Sequence, residues 1–302
     1  MYLYGLPVLL SIFLIVAVSG CTMFVNPTSA SGAGVVIEEF GPEFSNVFPF
    51  ERSDLEVKLK NEGSFTATDV VVDVLGLEEW SENSRRDKCR SPFNLIAPNS
   101  QSGTQGEIVT CSIPFTAPDL TSGLAQTYIP VARVSYDYKT ITRKSVSIVP
   151  RSELRRIENA GLEMPIDTIS ISGSPISIDI ESKSPIVTFK NYVVFPILIK
   201  FNNIGGGVVC KEDCKKADDW NRLAFKIELG TRMEIDNDCN TEMETKLFKG
   251  ETNAITCKIR AYDLIEGDAE STNRQEYVVK RDISVTSEYS YFIEKATSII
   301  VK

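Results

Sequence analysis

Asp54-Leu55-Glu56-Val57-Lys58-Leu59-Lys60 alternates polar and apolar side chains with period two, and Asn61-Glu62-Gly63 ends the run. A strand with one face on a core and the other in water has this alternation, because successive side chains point to opposite faces. In the second half of the chain Phe195, Ile197, Ile199 and Phe201 fall on one face of a similar run, which stops at Asn203-Ile204-Gly205-Gly206-Gly207. Asn and Gly tolerate positive φ, so both stops read as turns that return the chain to an antiparallel neighbour. The next strands follow at once: Val70, Val72 and Val74 in one half, Phe225, Ile227 and Leu229 in the other.

The likeness between the halves extends to Val109-Thr110-Cys111-Ser112-Ile113 and Ile255-Thr256-Cys257-Lys258-Ile259, which share pattern and cysteine. Further on, Val134-Ser135-Tyr136-Asp137-Tyr138 matches Ser287-Glu288-Tyr289-Ser290-Tyr291 in its paired tyrosines, and a closing strand is expected after each, at residues 146–149 and 298–301. A repeated unit of more than a hundred residues indicates duplicated domains; solenoid repeats have periods of about 20 to 50 residues. With 302 residues, 42% hydrophobic and 24% charged, the chain is large enough for two cores. The paired tyrosines read as sheet packing with hydroxyls at the rim.

Seven cysteines become six once Cys21 is set apart, and six can pair within the two halves. By the register of the repeat Cys89 corresponds to Cys239 and Cys111 to Cys257, which pairs Cys89 with Cys111, Cys239 with Cys257, and leaves Cys210 to Cys214. Such pairing belongs to an oxidising compartment. A four-thiolate metal site is disfavoured, because structural zinc usually takes paired Cys-x-x-Cys knuckles and only one close pair exists.

Cys210 and Cys214 lie in an insertion, residues 208–221, without a counterpart in the first half. Its Lys211, Asp213, Lys215 and Trp220 make it charged with one aromatic, and these four are the candidate contact loop. The competing reading is a solvated loop with Trp220 folded back on the core. Asp236-Asn237-Asp238-Cys239-Asn240 offers alternating oxygens, but it lacks the glycine and terminal glutamate of a calcium loop and reads as an acidic turn.

Residues 1–25 carry no charged side chain, and residues 8–18 are apolar apart from Ser11. This segment belongs in a membrane. It ends at Val18-Ser19-Gly20-Cys21, which resembles the lipobox of prokaryotic lipoproteins and makes Cys21 the lipidated residue. An uncleaved transmembrane helix and secretory cleavage are the other readings of the same segment. Residues 22–34 are small and polar enough for a flexible linker.

Function classes can be excluded from composition. A net charge of -9, with Lys and Arg scattered, leaves no footprint for nucleic acid. No histidine is present, which removes every His-dependent triad or zinc site. No other residues form a recognisable catalytic arrangement, so the chain is read as a non-enzyme with no catalytic residues, no metal and no cofactor.

Strand, Asn-x-Gly turn, Val-rich strand and later closing strand together resemble the cell-adhesion-related and S-layer-associated immunoglobulin-like repeats of archaeal and bacterial surface proteins. The resemblance implies an all-β chain: residues 1–21 as signal or anchor, 22–34 as linker, 35–150 and 166–302 as two tandem immunoglobulin-like antiparallel β-sandwiches. Residues 151–165 form the spacer between them, a short helix capped by Ser152 and ended by Gly161. It further implies a structural or adhesive protein on the outer face of a membrane, with a protein or envelope partner. The alternative is a ligand-binding or accessory subunit of an envelope complex.

Overall fold

A computed structural model describes residues 34–82, 89, 91–121, 123–236, 239–262 and 278–302. The amino-terminal segment with Cys21, and Asn237 and Asp238 of the acidic turn, lie outside these residues. No helix among the described residues is long and apolar enough to cross a membrane.

The protein is built almost wholly of antiparallel β-sheet. The first half supplies β1 (Val35–Pro42), β2 (Asn46–Val47), β3 (Arg52–Asn61), β4 (Ala67–Leu75), β5 (Ser81–Glu82), β6 (Phe93–Leu95), β7 (Ile108–Thr116), β8 (Gln126–Tyr128) and β9 (Val131–Pro150). Helix α1 (Arg151–Ala160) follows, then β10 (Thr168–Ile171), β11 (Ile176–Ser182), β12 (Ile186–Thr188), β13 (Tyr192–Asn203) and β14 (Val208–Cys210). After a 3-10 turn, Ala217–Asp219, come β15 (Arg222–Leu229), β16 (Met233–Ile235), β17 (Glu242–Lys246), β18 (Ile255–Tyr262), β19 (Val279–Ala296) and β20 (Ile299–Val301).

The repeat seen in the sequence is a repeat of topology. One sheet runs β1-β3-β7-β5 and its counterpart β11-β13-β18-β16, while β9-β4-β6 is matched by β19-β15-β17. The alternating run that ends at Asn61 is β3, and its Leu55, Val57 and Leu59 are buried as the period-two pattern requires.

The sequence reading gave each half its own pair of sheets, with a spacer between. In the structure the two three-stranded sheets fuse: β9 and β19 pair antiparallel from Val131↔Ala296 to Ile148↔Val279, making one nine-stranded sheet across both halves. The 146–149 segment is therefore the end of β9, a strand of 20 residues spanning about 65 Å. Its first part faces the first half's core. Its second part faces β11: the Thr142 hydroxyl donates to the Ile178 carbonyl at 2.9 Å, and Lys144 Nζ to that of Ile180 at 3.1 Å. The other expected closing strand, β20, does not return to its own half; it pairs with β2 and β8 at the far end of the first.

Ser152 does not cap the helix. Pro150, extended at φ -59°, ψ 144°, stands before the first turn, so Ser152 is already its second residue. Gly161, left-handed at φ 64°, ends it as expected. The helix is also more than a spacer, because Leu154 and Ile157 pack on Val149 with Val187 and Val278.

Candidate contact surface

Where β9 meets β19, the paired tyrosines stack into one cluster. Tyr136 lies opposite Tyr291 and Tyr138 opposite Tyr289. All four are buried, with ring centroids 5.8 to 6.3 Å apart along the chain Tyr138, Tyr136, Tyr291, Tyr289. Each half braces its turn in the same way. Asn61 Nδ2 donates to the Phe65 carbonyl and Asn61 Oδ1 accepts from Gly63 N; Asn203 repeats this with Gly207 and Gly205. The second tyrosine of each pair then accepts from the backbone N–H at the end of the turn, Phe65 to Tyr138 at 3.1 Å and Gly207 to Tyr291 at 2.8 Å. Burial pushes the Tyr138 and Tyr291 phenols up to about 12 and raises Tyr136 and Tyr289 as well, so the cluster is neutral packing. These hydroxyls sit inside the protein, not at the rim.

Between the tyrosines, Asp137 and Ser290 point the other way, onto the open face of the shared sheet. The Ser290 hydroxyl lies 2.6 Å from Asp137 Oδ1 and 2.9 Å from the Glu212 carbonyl, which fastens the insertion loop over that face. Beside it Lys139 Nζ sits 4.7 Å from the centre of the Phe65 ring. The result is a groove of about 710 Å³ with Asp137, Lys139, Glu288 and Ser290 as its floor. Phe65 and Thr68 form one wall, and Lys211 and Glu212 the other.

Besides the Ser290 bond, the loop is held at three places. Cys210 is bonded to Cys214 with Cα atoms 5.2 Å apart. Trp220 donates from Nε1 to the Cys214 carbonyl at 2.8 Å and lays its ring 5.4 Å from that of Phe292, so it is folded back and half-buried. Lys211 reaches Glu244 of β17 at 2.7 Å; this bond raises the lysine and holds the Glu244 carboxyl below its usual range. Asp213 accepts from Lys215 N at 2.9 Å, which closes the tip and leaves the Lys215 side chain in solvent. Of the four candidate residues, Trp220, Lys211 and Asp213 build the loop and Lys215 is the one it displays.

The sequence reading missed the groove floor, although period two offered a signal: residues between two buried tyrosines must face outward. The other disulfides join Cys89 to Cys111, Cα atoms 5.8 Å apart, and Cys239 to Cys257, 5.5 Å apart. Each fixes a loop to the central strand, β7 or β18, of a four-stranded sheet. Three bridges point to an oxidising environment.

No protein-family model matches the chain, and no curated protein matches it. Among solved structures, the collagen adhesin of S. aureus aligns over 90% of this chain and 92% of that one, with 9% identity and a TM-score of 0.11.

Proposed function

We propose that this is a non-enzymatic structural or adhesive surface protein, two tandem immunoglobulin-like sandwiches held outside a membrane by the amino-terminal segment. The observation that carries this reading is the fused sheet. Two sandwiches sharing 18 paired positions along β19 form a stiff body, and the 210–220 loop is fastened over the open face at its centre. Phenols with raised pKa are locked in the core, which is a packing role and not a catalytic one. Oxidised cysteines agree with the outer side of the membrane.

The test is the intact mass of the protein extracted from its native membrane, with and without reduction and alkylation. Expected is a lipid on Cys21 and six cysteines shielded until reduction; a bare amino terminus with freely alkylated thiols would overturn the reading. A panel of hydrolase substrates is expected to show no turnover, and turnover would sink the non-enzymatic part. The groove beside Lys211 favours a second reading, a ligand-binding or accessory subunit of an envelope complex, for which the substitution Lys139→Glu should weaken capture of the partner while leaving the fold intact.

A further inference from the structure

Strand β10 is an edge that the protein leaves open. It pairs with β9 alone, from Thr168↔Ser145 to Ile171↔Thr142, and no other described strand lies on its far side. All four of its residues are exposed. Ser172 N donates to the Ile141 carbonyl, which sets the alternation of the ladder: Ser170 and Thr168 bond β9, while the backbone groups of Ile169 and Ile171 point away from it. Natural edge strands are usually blunted by lysine, proline or a bulge. Residues 168–175 contain no charge, and Pro175 lies beyond the strand; of the residues leading in, Glu163 and Pro165 precede the ladder and Asp167 is turned inward to Lys144 at 3.7 Å and Ser147 N at 2.9 Å. Leading into and along this edge, Leu162, Met164, Ile166, Ile169 and Ile171 are 39 to 72% exposed.

We infer that β10 is the contact by which a second copy of this chain associates side by side on the same membrane, β10 against β10 in antiparallel register. Three observations favour a second copy over another occupant. A protein of net charge -9 repels itself over most of its surface, and this uncharged edge is a window in that repulsion. Self-pairing of an antiparallel edge is isologous, so one short strand supplies both sides.

The third observation is where the described residues begin. Gly34 lies against Pro175, so close that a Cβ on Gly34 would stand 3.1 Å from Pro175 Cδ, and Pro175 follows β10 by four residues. Two copies joined here therefore have the first described residue, Gly34, of each packed against the segment that follows the shared edge. The 13 residues from Cys21 to Gly34 reach at most about 45 Å, which is enough to hold both copies on one bilayer. A strand of four residues with three further apolar residues leading into it buries less than the roughly 1,200 Å² of a stable free dimer, so the association depends on the concentration that tethering provides. This inference rests on the membrane-anchored reading above.

The experiment uses the full chain reconstituted in vesicles at two surface densities, labelled on lysine for energy transfer between copies, with flotation scored in the same samples. Expected are energy transfer that rises with density and protection of the Ile169 and Ile171 amides from hydrogen exchange at high density. The double substitution Ile169→Lys, Ile171→Lys should weaken association about tenfold or more, while Ile96→Lys, on an exposed residue elsewhere, should not. Flotation without association, or association indifferent to the β10 substitutions, overturns the inference and leaves the anchor standing. If the chain fails to float, the anchor reading falls instead, and sedimentation at high protein concentration decides: a dimer lost in the double variant supports the edge, and a monomer throughout overturns it.

Discussion

The two halves use one design for their turns, and single hydroxyls separate them. Tyr138 accepts one bond, from Phe65 N at 3.1 Å; Tyr291 accepts from Gly207 N and also donates to Asn203 Oδ1 at 2.6 Å. Replacing Tyr138 with Phe leaves the part-buried Phe65 amide without its partner and should cost about 1 kcal/mol, whereas Tyr291→Phe removes two bonds, stranding Gly207 N and leaving Asn203 Oδ1 with Gly205 N alone, and should cost about 2 kcal/mol. Denaturant titration of both variants checks the order, and equal losses would mean that the Asn203 contact contributes nothing. Alkaline titration should show the same burial. Phenols raised to about 12 in the folded protein, but ionising near 10 when unfolded, give stability that is full below about pH 10 and falls as pH rises through 12. Tyrosinate absorbance and loss of the fold should therefore appear together. The tyrosine pairs were legible in the sequence, as were Asn61 and Asn203 as turn residues. That each Asn closes its turn through its own side chain was not, because the bond depends on the φ and ψ of the four residues that follow.

At the scale of elements, period two found β3, β4, β7, β13, β15 and β18, since each has one face on a core. It failed for strand ends. Nothing in the composition of residues 131–150 marks where one sandwich stops, because β9 keeps a buried face throughout and only the sheet opposite it changes. The insertion loop was legible by subtraction, as the stretch without a counterpart, but its tie to β17 was not, because Lys211 and Glu244 are 33 positions apart in sequence. That tie makes the loop sensitive to pH. Glu244 is depressed by Lys211, so its contribution is present above about pH 4.3 and is lost as pH falls through its lower folded value; Lys211 is raised, so its contribution is present below about pH 10.4 and lost above its higher folded value. Hydrogen exchange in residues 211–216 should accelerate in acid, and Glu244→Gln should make exchange fast already at neutral pH. An unchanged profile in that variant would show that the disulfide, Trp220 and the Ser290 bond to Glu212 hold the loop without the Lys211–Glu244 pair.

For the molecule as a whole, the sheet fusion decides whether two sequence repeats behave as two domains. Separate sandwiches joined by a spacer would unfold independently. Here Thr140, Thr142, Val146 and Ile148 of β9 are fully buried, and the Thr140 hydroxyl meets that of Tyr289 at 2.8 Å, so the first half's last strand is part of the second half's core. In return, Lys295 of β19 donates to the Glu38 carbonyl of β1 at 2.7 Å. Neither core can open without uncovering apolar surface in the other, and such coupling favours a single transition. The chain carries its own reporters, because its two tryptophans are Trp80 in the first half and Trp220 in the second. Trp80→Phe leaves fluorescence from the second half and Trp220→Phe leaves it from the first. With disulfides intact, urea unfolding of the two single-tryptophan variants, each corrected for its own stability against circular dichroism, should give fluorescence and dichroism curves that coincide. A fluorescence midpoint displaced from the dichroism midpoint in either variant would show that the halves melt separately, and that the β9 and β19 pairing is a docking contact weaker than the cores it joins.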